Sequence, residues 1–357
     1  MSPTTHPRRI AAATLAVLEL AAPAATARPA MDPPNALAAE PSSASTVEAA
    51  ADRLGRRRRR RRGHRCARPR RHRRLRRGPP QPREVGQVMA MQVQVDGLEI
   101  NYDVQGAGEP LLLIPYTSAD HACYAFQLPA YAEHFSCIAV DLPGTGESDK
   151  PPGPYSTDGY ADQVAAFLGA IGIEHAHVAG VSLGAAVGLH LAARHPGRVR
   201  SLSLHGGWSA SDAYLTAVVE QWRELASVLP TVADVVIQGI FPWCFTPEMY
   251  AARPEFVDTL VAFVRSRPAQ PVDAFLAQID AVIAHDASAA LGEIRVPTLI
   301  TYGARDLVCS TRFADPLSSA IAGSDLVVFE HLSHAGLHED PETFNRATLD
   351  FLLNQRS

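Results

Sequence analysis

Ser182 stands between two glycines in Gly180-Val181-Ser182-Leu183-Gly184. A serine hydroxyl is a weak nucleophile until a base takes its proton, and the base must be oriented by an acid. Both residue types follow downstream. Asp306 closes the stretch TYGARD, and His331, His334 and His338 lie together in HLSHAGLHED. A serine, an acid and an imidazole in one site would attack a carbonyl, carry its proton to the leaving group and stabilise the cation formed on the ring. Residue types alone leave the three histidines as equal candidates for the base.

The elements around these residues tell where they stand. An apolar run, 175–182, leads into Ser182, and an alanine-rich helical pattern, 183–199, follows it. A serine on such a strand-to-helix turn has a strained backbone, with its hydroxyl lifted above the sheet. The helix start offers free N–H groups, among them that of Leu183, to an oxyanion. Elsewhere, 91–106 alternates apolar and polar residues around Asp96-Gly97, as a hairpin does. Continuous apolar runs at 110–116 and 135–144 read as strands buried on both faces, and 160–173 has helical spacing. Strand-like stretches recur at 199–207, 296–306 and 324–334, the last two followed by helical patterns. Strands alternating with helices imply a mostly parallel sheet covered on both sides, with its site at the carboxyl ends of the strands.

The order Ser182…Asp306…His334, with the Gly-x-Ser-x-Gly turn, resembles the α/β-hydrolase fold superfamily. The resemblance runs from about Met91 to the C-terminus. It selects His334 as base, because members carry a His followed five residues later by Glu and seven later by Pro, here Glu339 and Pro341. His338 is then expected in the loop or capping the last helix. Residues 141–151 (DLPGTGESDKP) look like the loop after the family's fourth strand, with Asp141 structural. The resemblance implies an α/β fold with a helical cap inserted after the sixth strand. The chain would divide into a core, 89–207 and 294–357, and a cap, 208–293. The chain resembles capped serine hydrolases such as 3-oxoadipate enol-lactonases, meta-cleavage-product hydrolases and small esterases. Haloalkane dehalogenases and epoxide hydrolases place Asp at the elbow, so Ser182 argues against both.

One departure concerns the oxyanion hole. Relatives have His-Gly after the third strand, whereas this chain has Pro115-Tyr116. Pro115 has no N–H, which leaves the backbone of Tyr116 or Thr117 as donor beside Leu183. Cocaine esterase and α-amino-acid ester hydrolases carry a similar Pro-Tyr whose hydroxyl serves the oxyanion, so the Tyr116 hydroxyl is the alternative. The tryptophans Trp208, Trp222 and Trp243 all fall in the cap and are candidates for lining the substrate pocket. The expected reaction is hydrolysis of a carboxylic ester or lactone with an apolar or aromatic moiety. Carbon–carbon hydrolysis of ring-cleavage products and acyl transfer are alternatives. A ligand receptor of the same fold with slow turnover is the reading from a different class.

The rest of the sequence narrows the classes. Cys66, Cys123, Cys137, Cys244 and Cys309 have neither CxxC nor metal-ligand spacing, so no metal is expected, and no phosphate loop suggests a nucleotide cofactor. No run of about 18 apolar residues could span a membrane. Charge is divided unequally: residues 1–90 hold 20 Arg against 6 acids, and the remainder 13 basic residues against 31 acids. Residues 1–88 bury nothing by composition and are expected to be disordered. They have three readings: sequence upstream of a start at Met89 or Met91, an export signal, or an arginine-rich arm for polyanions such as nucleic acid. The first implies a cytoplasmic protein and the second an exported one.

Overall fold

The computed structural model describes residues 89–356; the expectations for 1–88 lie outside the described residues. Eight strands form one sheet. They are β1 (Met89–Val95), β2 (Leu98–Gly106), β3 (Glu109–Ile114), β4 (Phe135–Val140), β5 (Ala176–Val181), β6 (Val199–His205), β7 (Thr298–Gly303) and β8 (Asp325–Phe329). Their spatial order is β1-β2-β4-β3-β5-β6-β7-β8. β1 and β2 form the hairpin read from the sequence. Asp96 (φ 49°) and Gly97 (φ 85°) both take the positive φ that a tight two-residue turn demands. β2 also pairs antiparallel with β4, and from β4 to β8 every pairing is parallel.

The central strands have no wet face. Leu111, Leu112, Leu113 and Ile114 of β3 are all fully buried. Alternate side chains go to opposite sides. Leu112 and Ile114 pack with α1 (Thr157–Ala170) and α2 (Leu183–Arg194), through Val164, Leu168, Val187 and Leu191. Leu111 and Leu113 pack on the other face with Tyr124, Tyr131 and the C-terminal helix.

Between β6 and β7 the chain leaves the sheet. This insertion carries α3 (Ala213–Val228), α4 (Pro254–Ser266) and α5 (Val272–Ile283), with shorter helical turns over 232–252. Asp212 caps α3 by accepting from the Leu215 N–H. The stretch read as helices broken by prolines breaks before Pro247 and Pro254, each in the first turn of a new helix, whereas the helical path over 232–244 runs on through Pro242. After β7 comes α6 (Ala314–Ala320), and after β8 the last helix, α7 (Pro341–Asn354). Several strands are shorter than their apolar runs suggested. β3 stops before Pro115, and β6 stops before Gly206, which turns with φ 58°. Among the described residues no helix is long and apolar enough to cross a membrane.

Candidate active site

Ser182 takes φ 53° and ψ −117°, a conformation a residue with a Cβ rarely adopts. Its N–H donates to the His205 carbonyl (2.8 Å), and its carbonyl receives the N–H groups of Ala185 and Ala186 at the start of α2. The flanking glycines have a steric reason. A Cβ on Gly180 would lie 2.2 Å from the Gly184 carbonyl oxygen, and one on Gly184 2.1 Å from that of Ile114. Only glycines let β5, α2 and the end of β3 meet so closely. Leu183 is the first residue of α2, where a backbone N–H has no acceptor within the helix.

The register of β3 and β5 places the second loop. Ile114 pairs with Gly180, so Tyr116 and Thr117 leave the sheet beside Ser182. The turn closes with Ala119 N–H donating to the Tyr116 carbonyl (3.1 Å). Ser118, at φ 62°, donates its N–H to Oε1 of Gln278 on α5 (3.1 Å). The insertion therefore helps to hold the turn.

Asp306 follows β7 and is 2 % exposed. Its Oδ1 accepts from the N–H groups of Val308 (2.7 Å) and Cys309 (2.9 Å). Its Oδ2 stands 2.7 Å from Nδ1 of His334, in the loop after β8. The imidazole lies against Gly206, where a Cβ would come within 3.0 Å of Cε1. His205 lies under the same loop, with Nε2 3.2 Å from the His334 carbonyl oxygen and Nδ1 3.0 Å from the Thr301 hydroxyl. A carbonyl only accepts, so Nε2 carries the proton and the bare Nδ1 faces the Thr301 hydroxyl. Burial, reinforced by the charge His334 can carry, pushes His205 down to about 4 and keeps it neutral.

Glu339 ties this loop to the insertion. One oxygen accepts from Ser333 N–H (2.8 Å) and hydroxyl (2.7 Å), the other from Thr246 N–H (2.7 Å) and hydroxyl (2.8 Å). Ala335 N–H and the Ser333 hydroxyl both reach the Cys244 carbonyl. Both neighbours of His334 are thus pinned to residues 244–246. The sequence offered Glu339 only as a mark of resemblance; its partner Thr246 lies 93 residues away and could not be read from spacing.

Ser182 and His334 face one cavity of about 440 Å³. Its apolar wall includes Phe126, Trp222, Phe241, Phe245 and Phe263. Of the three candidate tryptophans, Trp222 lines it. Trp208 instead lies beneath the insertion, its indole N–H on the Ser211 hydroxyl (2.9 Å) and its ring edge-on to His285. Trp243 is half-buried against the apolar core, because its short helix turns it away from the space that Phe241, Cys244 and Phe245 line. A charged pair, Asp120 and Arg267, closes another part of the wall at 2.7 Å.

The three histidines separate clearly. His331 is exposed and pairs with Asp340 (3.0 Å). His334 has the buried carboxylate. His338, expected in a loop or at a helix cap, is 7 % exposed in the short helix Gly336–Glu339 and lines the cavity, with Nε2 3.0 Å from the Tyr116 hydroxyl. The short helix sets its ring on the cavity wall, which His334 also lines, rather than out in solvent.

A second ionic group lies behind the Tyr116 turn. Asp141 is fully buried and accepts from Asn101, the Glu147 N–H, and the N–H and Nδ1 of His121. Burial disfavours charge on His121, but the hydrogen bond and charge of Asp141, with Asp120 and Asp103, outweigh it and push the ring up to about 9. Asp120, His121 and Asp141 bring ligand-type atoms within 4.8 Å of one another. With His121 an imidazolium donating to Asp141, the group is an internal ion cluster that braces the loop.

The comparisons agree with this fold. Residues 110–341 match the model of the alpha/beta hydrolase fold family. The chain belongs to that family and is an α/β-hydrolase enzyme. It is 30% identical over 259 residues to the "Putative carbamate hydrolase RutD" of Azorhizobium caulinodans, covering 71% of this chain and 94% of that protein. Among solved structures, it is similar to a hydrolase from Pseudomonas aeruginosa PA01 (27% identity, TM-score 0.66, 75% of this chain and 99% of the other). The enol-lactonase from Burkholderia xenovorans LB400 shares the fold at 23% identity (TM-score 0.66, 74% of this chain and 100% of the other).

Proposed function

We propose that the protein is a serine hydrolase that cleaves a carboxylic ester or lactone bearing an apolar moiety. The observation that carries this reading is the buried 2.7 Å pair of Asp306 and His334 opening on the same cavity as Ser182 at its strained turn. In this mechanism the Ser182 Oγ attacks the scissile carbonyl carbon while Nε2 of His334 takes its proton. Asp306 accepts from Nδ1–H, fixes the tautomer and stabilises the imidazolium. The negative oxygen of the tetrahedral intermediate receives the Leu183 N–H and an N–H of the Tyr116–Thr117 turn, where a few kcal/mol of transition-state stabilisation is at stake. His334 then protonates the leaving alcohol, and water repeats the sequence to free the acid.

The insertion serves as a cap, its aromatic side chains holding the apolar part of the substrate and excluding water. A carbamate, named for the relatives, would pass through the same kind of tetrahedral intermediate. The size and apolar wall of the cavity favour a larger, greasier ester or lactone. A panel of p-nitrophenyl esters from acetate to decanoate, aliphatic lactones and simple carbamates tests this. Turnover should be best for medium-chain esters or lactones and should vanish in Ser182→Ala. Exclusive turnover of small carbamates, or activity surviving in Ser182→Ala, would reject the reading.

A further inference from the structure

The cavity wall contains one polar pair set among aromatic rings. The Tyr116 hydroxyl and Nε2 of His338 are 3.0 Å apart, and the His338 ring lies edge-on to Phe126 (5.7 Å) and tilted against Phe245 (6.5 Å). An imidazole in such surroundings loses hydration, so it needs a compensating role. It is not a second base, since its hydrogen-bond partner is a phenol and not a carboxylate.

Hydrogen-bond accounting fixes the direction of the pair. Nδ1 of His338 is buried and has no partner. A neutral imidazole carries one proton, and an orphaned buried N–H is rarer and costlier than an unused lone pair. The proton therefore sits on Nε2 and is donated to the Tyr116 oxygen. Burial, with a contribution from His205, pushes His338 down to about 4, which keeps it in this neutral form. Burial above all, with the nearby Cys123, Cys244 and Asp120, holds the phenol well above its ordinary value, so its own proton stays in place. With its oxygen accepting from His338, the hydroxyl is left as a donor on a residue that lines the cavity.

We propose that Tyr116 and His338 form a substrate-recognition subsite, in which the Tyr116 hydroxyl donates to a second oxygen of the substrate, a hydroxyl or keto group one or two carbons from the scissile carbonyl. Tyr116 leaves the sheet beside Ser182 and lines the same cavity as Ser182, His334 and His338, so a substrate held at Ser182 would present the first atoms of its acyl chain to this wall. His338 is a positioning residue: it holds the phenol oxygen and leaves the proton for the substrate. The inference rests on the ester-hydrolase reading of the same cavity.

The test compares p-nitrophenyl octanoate with its 2-hydroxy and 3-hydroxy analogues. The wild-type protein should favour at least one hydroxylated ester by about tenfold in kcat/KM, the size of one well-made hydrogen bond in a buried site. Tyr116→Phe should bring that ratio close to one, and His338→Leu should lower it by about threefold or more. Equal preference in the wild type, or the same loss on all three esters in Tyr116→Phe, would overturn the subsite. The second outcome would assign the phenol to the oxyanion. Ser182→Ala keeps the two failures apart. Calorimetric binding of methyl octanoate and methyl 3-hydroxy- and 2-hydroxyoctanoate to that variant reads the preference without turnover. A preference there that disappears with Tyr116→Phe added would sustain the subsite even if ester hydrolysis failed.

Discussion

At the scale of single residues, the two oxygens of Asp306 do different work. Oδ1 receives two backbone N–H groups, and Oδ2 faces Nδ1 of His334. In Asp306→Asn the amide oxygen must stay with Val308 and Cys309, because an NH₂ there would confront two donors. The NH₂ then points at His334 and donates to Nδ1. The ring is forced to carry its proton on Nε2, where it cannot take one from Ser182. The expected loss in kcat is about 10⁴, with the fold intact. Steady-state rates at pH 7 on a p-nitrophenyl ester, normalised by active-site titration of the wild type, check it. A loss below about tenfold would show that Asp306 does not set the tautomer.

At the scale of elements, the turn between β5 and α2 stores strain for the sake of geometry. Any residue with a Cβ at position 182 suffers from φ 53° and ψ −117°, while glycine does not. Ser182→Gly and Ser182→Ala should both be inactive, yet the glycine variant should be the more stable by about 1 kcal/mol, despite its more flexible unfolded chain. Urea unfolding of the two variants measures the difference. An alanine variant of equal or greater stability would mean that the turn relaxes when the hydroxyl is lost. The loop after β8 is held in another way, by Glu339, whose carboxylate fastens it to the base of the insertion.

At the scale of the whole molecule, buried histidines set the pH range of stability. His205, His285 and His338 are each pushed down to about 4, chiefly by burial. Between about pH 6.5 and 4 the unfolded chain binds protons at these positions that the native state refuses. Stability therefore falls as the pH drops through this window and recovers fully above it, each ring contributing at most about 3 kcal/mol. His121 acts in the opposite sense. Its folded value near 9 lies above the unfolded one, so its contribution is complete below about pH 6.5 and is lost as the pH rises through 9. Urea midpoints should be greatest near pH 6.5 to 7 and decline on both sides, most steeply towards acid. Removing one ring with His285→Gln should flatten the acid limb by about one proton. A flat profile from pH 4 to 7 would contradict the neutral assignment.

The sequence by itself determined the parts of this protein that depend on local chemistry. Gly180-Val-Ser-Leu-Gly184 between an apolar run and a helical one fixes a strand-turn-helix, because backbone sterics and hydrophobic period are properties of neighbours. The hairpin at Asp96-Gly97, the apolar central strands and the breaks at Pro247 and Pro254 were legible for the same reason. The order of Ser182, Asp306 and the histidines was legible too, but the choice of His334 needed resemblance, since three imidazoles within eight positions look alike in a string. Tertiary structure separated them. His331 faces solvent, His334 meets a buried carboxylate, and His338 meets the Tyr116 hydroxyl. The same applies to the tryptophans, of which only packing decides that Trp222 faces the cavity and Trp208 packs against His285 away from it. The pairings that separate His334 from His338 join residues 28 and 222 positions apart. They are set by strand register and by the route of the insertion, neither of which leaves a periodic trace in the sequence.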